Sequence, residues 1–250
     1  VANEKGGTGK STLSMHLAIK LLYENFKVAV IDLDGRQGSL SKYIENRRLF
    51  CSKNNIYIPS PVHYIFEPVA KEANKKEIED LITDLSSRFD AIIIDTPGGR
   101  NYLFELAHKF LHTLITPISD SLVDLSAIAD INPDNGEIIK AGHYAEFVWE
   151  TKKKLASKEL PYLNWIVCGN KISALRSKNK ELIFSKLSSL AKLYGFRFTE
   201  GLKDRVIYKE LFLDGLTILD MNSPKLHRRL NVSHLAAKME LNSLVEFIFP

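Results

Sequence analysis

The sequence has only two cysteines, Cys51 and Cys168, far apart and in no C-x-x-C pair. That scarcity excludes a disulfide scaffold, a zinc ribbon and a cysteine-ligated iron–sulfur cluster, and it fits a reducing cytosol. There is no H-E-x-x-H pattern and no G-x-S-x-G elbow, so neither a zinc hydrolase nor a serine hydrolase is indicated. No run of about 18 apolar residues occurs, which argues against a membrane span, and no secretory leader is read at the start. Internal repeats, low-complexity tracts and an obvious linker are also missing. Net charge is only +4, too small to imply a nucleic-acid partner by itself. Even the opening methionine is absent. A glycine loop starts at residue 6, so only Val1-Ala2 remain where a buried strand is expected, and the first strand reads as cut short.

What is present is an alternation of short apolar runs with amphipathic stretches. Residues 11–24 place Leu13, Leu17 and Leu21 at helical spacing. The run 27–34, "KVAVIDLD", is a buried parallel strand ending in acid. A polar helix follows through "QGSLSKYIENRR", and residues 50–70 read as loop with one short strand. Helices are predicted over 76–89, 101–110, about 142–158, 177–194 and about 233–247. Strands are predicted at "DAIIIDTPGG", 112–119, "LNWIVCGN" and "FRFT", with a turn at "PDNG". The reading is one α/β domain over 1–250, a doubly wound, mainly parallel sheet flanked by helices. Ligands in such sheets bind at the carboxyl ends of strands.

Three motifs fall at those ends. In "NEKGGTGKST" the glycines Gly6, Gly7 and Gly9, with Thr8, let backbone N–H groups turn toward phosphate oxygens at a helix N-terminus. Lys10 is expected on the β- and γ-phosphates, Ser11 on Mg²⁺, and Thr12 completes the nucleotide-binding turn. "IDLDGRQ" sets Asp32 and Asp34 on one side of a strand end, near a metal and an attacking water. "IIIDTPGG" gives Asp95 as a further metal ligand, with Pro97, Gly98 and Gly99 as a segment that senses the γ-phosphate. Asp34 and Asp95 belong to that switch. The cofactors expected are ATP or ADP and Mg²⁺.

The first motif departs from G-x-x-x-x-G-K-[ST], because Glu4 stands where glycine is usual and Lys5 is an added cation. In this respect "KGGTGKST" resembles the deviant Walker A motif of the ParA/MinD family of ATPases. The resemblance implies ATP sandwiched in a homodimer, with Lys5 acting on the partner's phosphates and Lys10 on its own. It also implies Asp34 as the residue that positions the hydrolytic water, and Asn170 in "CGNK" as the reader of adenine.

The segments "NEKGG-GKST", "VAVIDLD-RQ", "ENRR", "IDTPGG", "TP--DS-VD" and "GL-DRVIY-ELF--GLT" are more narrowly similar to the MipZ branch of that family. That branch implies slow, switch-type ATP hydrolysis in the bacterial cytoplasm, association with the nucleoid or poles, and spatial control of division. Its implied partners are FtsZ, whose assembly is inhibited, a ParB-like protein and nonspecific DNA. A chromosome- or plasmid-partitioning ParA ATPase is the alternative. Gly35 and residues 50–75 depart from the pattern.

Charge distribution adds one expectation. Residues 171–209 carry ten Lys or Arg against three Asp or Glu. Lys171, Arg176, Lys178, Lys180, Lys186 and Arg205 fall in this stretch, and all but Lys171 are taken as DNA contacts. With no base-reading motif, these should hold phosphates without sequence preference. The last helix carries Glu240 and Glu246 on its polar face, so docking on the domain is expected rather than membrane insertion. His16 reads as a packing or surface residue rather than a ligand.

Overall fold

The computed structural model describes residues 1–67, 71–132, 137–159, 162–174, 178–223, 226 and 231–249. Eight strands occur among them: β1 (Val28–Asp32), β2 (Val62–Ile65), β3 (Ala91–Asp95), β4 (Thr113–Ile118), β5 (Ala129–Ile131), β6 (Ile138–Ala141), β7 (Asn164–Gly169) and β8 (Arg197–Thr199). The helices are α1 (Lys10–Tyr23), α2 (Ser39–Asn54), α3 (Lys71–Arg88), α4 (Tyr102–Ala107), α5 (Leu122–Leu125), α6 (His143–Ala156), α7 (Lys178–Tyr194), α8 (Val206–Leu213) and α9 (Val232–Ile248).

Two parallel sheets form, in the orders β2-β1-β3 and β4-β7-β8. The extended start of the chain lies between them. Val1 N donates to Ile94 O (2.6 Å) and Thr96 N to Val1 O (3.2 Å) on one side. Ala2 N donates to Ile115 O (2.9 Å) on the other. Residues 1 and 2 therefore bridge β3 and β4, satisfying backbone groups that would otherwise be buried unpaired.

Helix α1 runs through the middle of the core, with Leu13, Met15, Leu17, Ala18 and Ile19 buried beneath Val28 and Val30. Helix α9 docks on the same core through Ala237, Leu241, Leu244, Val245 and Ile248, as expected. Among the described residues, no helix is long and apolar enough to cross a membrane.

The alternating pattern holds for α1, β1, α3, β3, β4, β7, α7 and α9. Helix α2 runs six residues past its expected end, to Asn54. Its buried face is Leu40, Tyr43, Ile44 and Arg47, and a charged residue on that face weakens the apolar signal. The antiparallel hairpin β5–β6 and the short helices α5 and α8 were not read from the sequence.

Candidate nucleotide site

The glycine loop follows the bridging segment and opens directly onto α1. Gly7 and Gly9 adopt left-handed φ values of 78° and 85°, which a side chain would strain. Gly9 is the N-cap of α1, and no side chain caps it. Among the described residues, the backbone N–H groups from Gly6 to Thr12 meet no protein acceptor. Thr8 Oγ1 is buried and likewise unpaired. Gly6 and Gly7 are exposed and Gly9, Ser11 and Thr12 half-buried, so this row of N–H groups at a helix N-terminus is open to an anionic ligand, and the donor set fits a nucleotide's phosphates.

Lys10 reaches back along the loop, its Nζ donating to Lys5 O (3.0 Å). Burial lowers its pKa, while Asp95 and Asp34 oppose the shift. The three expected carboxylates gather beside it. Asp32 and Asp95 are the paired ends of β1 and β3, and both are buried. Burial pushes the Asp95 carboxyl up to about 6 against the pull of the Ser11 hydroxyl, and Ser14 Oγ donates to Asp95 Oδ1 (3.2 Å). Asp34 is also raised, first by burial and then by Asp32, with the N–H groups of Gln37 and Gly98 pulling the other way. Two carboxylates raised in this way, beside a third, are suited to a cation.

The "PGG" segment packs on the loop. Gly99 N donates to Glu4 O (2.6 Å). A Cβ at Gly98 would stand 3.1 Å from Gly6 Cα, so a side chain there would push the two loops apart by a few tenths of an ångström. Gly35 has a parallel reason. A Cβ there would lie 2.6 Å from Phe66 O, so the departure at this position is a close approach to the chain leaving β2.

Asn170 ends beside the loop, its Nδ2 donating to Thr8 O (2.7 Å). This leaves its amide oxygen as an acceptor at the loop's edge. Its neighbour Lys171, read from the sequence as part of the basic stretch, instead donates from Nζ to Gly7 O (2.6 Å). Lys5 forms an ion pair with Asp124 of α5, whose second oxygen accepts from Ser119 N (2.8 Å). The Asp124 partnership was not foreseen, although the residue closes the quoted segment "TP--DS-VD".

Of the other basic residues, Arg176 and the Lys178 side chain lie outside the described residues. Lys180 Nζ donates to Ser173 O (3.2 Å) and sits 5.6 Å from the centre of the Phe184 ring. Lys186 is half-buried. Arg205 grips Glu240 through Nε (3.3 Å) and Nη2 (2.6 Å), and Ser233 Oγ through Nη1 (2.9 Å). The DNA contact expected at Arg205 thus begins from a guanidinium already paired. His16, expected to be a packing or surface residue, is a packing residue. It is fully buried and stacks edge-on against Tyr208, with ring centres 5.2 Å apart.

A glycine loop opening a central helix, beside acids at the ends of two paired parallel strands, gives the fold of the MinD/ParA P-loop NTPases. Residues 1–248 match the family model described as ATPase MipZ, and the chain belongs to that family. It is 29% identical to the septum site-determining protein MinD of Helicobacter pylori, over 52% of this chain and 57% of that protein. The chain thus spans somewhat over half the length of the curated relatives it matches. Among solved structures it resembles McdA of Cyanothece in complex with ATP (TM-score 0.60, 16% identity, 96% of this chain, 94% of the other). It also resembles Pyrococcus horikoshii MinD with Mg-ADP (TM-score 0.55, 18% identity, 96% and 92%).

Proposed function

We propose that this protein is an ATP-dependent dimeric switch that regulates where the cell divides. The observation that carries the reading is the row of N–H groups from Gly6 to Thr12, which find no acceptor among the described residues, around the buried Thr8 hydroxyl. In this reading the loop holds the phosphates of ATP, Lys10 serves the β- and γ-phosphates, and Asn170 meets the adenine. Ser11 holds Mg²⁺ with Asp95 and Asp32 close by, and Mg²⁺ supplies charge neutralisation on the phosphates. Asp34 orients the attacking water, and Gly98 next to Gly6 senses the γ-phosphate. Lys5 leaves Asp124 and places its cation on the phosphates bound by a second copy, the logic of an arginine finger.

Membership of the MipZ family supports FtsZ, a ParB-like protein and nonspecific DNA as the partners that read the switch, in the bacterial cytoplasm at the nucleoid or poles. The testing experiment has two stages. Purified protein with Mg²⁺ and ATP should release phosphate slowly, and Lys10→Ala should lose nucleotide binding. Sedimentation of FtsZ polymer should then fall on addition of ATP-loaded Asp34→Ala protein. Full ATP turnover in Lys10→Ala would refute the loop assignment. FtsZ polymer indifferent to the loaded protein would refute the division reading and favour a partition-type ATPase.

A further inference from the structure

The Asp32 carboxylate, at the buried end of β1, is held by three donors. Its Oδ1 accepts from Asp34 N (2.9 Å), and its Oδ2 accepts from Ser41 N (3.0 Å) and Ser41 Oγ (2.6 Å). An ionised carboxylate only accepts, so the single hydroxyl proton of Ser41 is committed to Asp32. Ser41 Oγ also lies 2.9 Å from His63 Nε2. With the serine proton already used, that hydrogen bond is made by a proton on Nε2, and the chain runs His63 to Ser41 to Asp32 to the backbone of Asp34.

The loop carrying Asp34 is fixed at both ends of this chain. Gln37 N and Gly38 N close back onto Asp34 O (3.0 and 2.7 Å), and Gly35 N donates to Phe66 O (3.1 Å) just past β2. His63 is on β2 itself, level with Val30 of β1. Strand β2 therefore straps the loop through two points, the Phe66 carbonyl and the His63 ring.

We infer that His63 is a positioning residue for ATP hydrolysis, acting through Ser41 and Asp32 to fix the loop that carries Asp34. The inference rests on the ATPase reading above. His63 touches no reacting group, and nothing in the sequence around it marks it for this role. Outer hydrogen-bond partners of this kind typically change activity about 10- to 100-fold when removed.

The test uses three variants of the full chain. His63→Leu removes the donor, His63→Gln presents an amide N–H at the position of Nε2, and Ser41→Ala breaks the link. Expected are a kcat at least about tenfold lower in His63→Leu and Ser41→Ala, an unchanged KM for ATP, an unchanged melting temperature in His63→Leu, and recovery of most of the rate in His63→Gln. A residue that merely supports folding would lower the melting temperature, and glutamine would not restore the rate. A second measurement is independent of turnover: ¹⁵N NMR of the His63 ring should show the proton on Nε2 in the wild type. Wild-type turnover in His63→Leu, no recovery in His63→Gln, or an unprotonated Nε2 would each overturn the inference. A wild type that shows the Nε2 proton but never hydrolyses ATP would instead refute the ATPase reading, and any role for His63 in it.

Discussion

The Lys5 ammonium and the Asp124 carboxylate form an ion pair within a single chain, so the signature lysine already has a partner before any second subunit arrives. Asp124 is almost fully buried, while the Lys5 side chain is 44% exposed. The lysine is the member that can leave. A ligand shifts such an equilibrium only by the difference in its interactions with the two states, so the internal pair opposes dimerisation by the free energy of breaking it. Because Asp124 is buried, breaking the pair leaves its carboxylate held by Ser119 N, and the opposition is larger than for a fully exposed pair. Forming the homodimer breaks one such pair in each subunit, so Asp124→Asn should dimerise with ATP at a lower protein concentration than the wild type, whereas Lys5→Ala should not dimerise. Analytical ultracentrifugation across a concentration series checks both.

Arg47 is fully buried in a network that joins α2 to the chain after α8. Its guanidinium meets Asp220 (2.8 and 2.7 Å), Gly215 O (3.0 Å) and Pro59 O (2.8 Å). Tyr23 and Thr217 complete the satisfaction of Asp220. Breaking one side of such a pair leaves an uncompensated buried charge and costs roughly 3–5 kcal/mol. Arg47→Met should lose that much in urea denaturation, and the double variant with Asp220→Asn should recover part of it.

Burial brings the His16 pKa down to about 4, with the Thr12 carbonyl opposing the shift. The unfolded chain takes up a proton near pH 6.5 while the native state resists it. Stability linked to His16 is thus complete above pH 6.5 and is lost as the pH falls toward 4, by up to about 3 kcal/mol. His108, also buried and brought down to about 4, acts in the same direction. Urea midpoints at pH 7 and pH 5 should differ less in His16→Gln than in the wild type. An unchanged difference would contradict the assignment.

Neutralising Arg176, Lys178 and Lys180 together should weaken binding to DNA of any sequence and flatten its salt dependence, because each phosphate left without its cation takes about one released counterion out of the slope. Arg205→Ala should lower stability as well, since Arg205 is paired with Glu240. Fluorescence anisotropy at several salt concentrations separates the two effects. Unchanged affinity at low salt would remove the basic stretch from DNA binding.

The candidate site's residues could be picked out because they sit in short contiguous motifs at strand ends. Lys10, Ser11, Asp32, Asp34 and Asp95 each announce themselves by neighbours in sequence. What stayed hidden depends on residues distant along the chain. Arg47 on the buried face of α2 looks like a surface charge until Asp220, 173 residues away, is placed against it. Lys171 looks like part of a basic patch because its partner is a carbonyl in the glycine loop. Ser41 and His63 carry no pattern at all, since one lies on α2 and the other on β2. The hairpin β5–β6 escapes sequence reading because its strands are three and four residues long, too short to show a period.

The central claim is that Lys5 completes a nucleotide site in a second copy of this chain. Light scattering coupled to gel filtration tests it most directly, on wild type, Asp34→Ala and Lys5→Ala, each with and without ATP and Mg²⁺. A monomer without nucleotide, a dimer with ATP that accumulates in Asp34→Ala, and a monomer throughout in Lys5→Ala are the predicted results. A monomer under every condition, or a dimer indifferent to Lys5, would contradict the account.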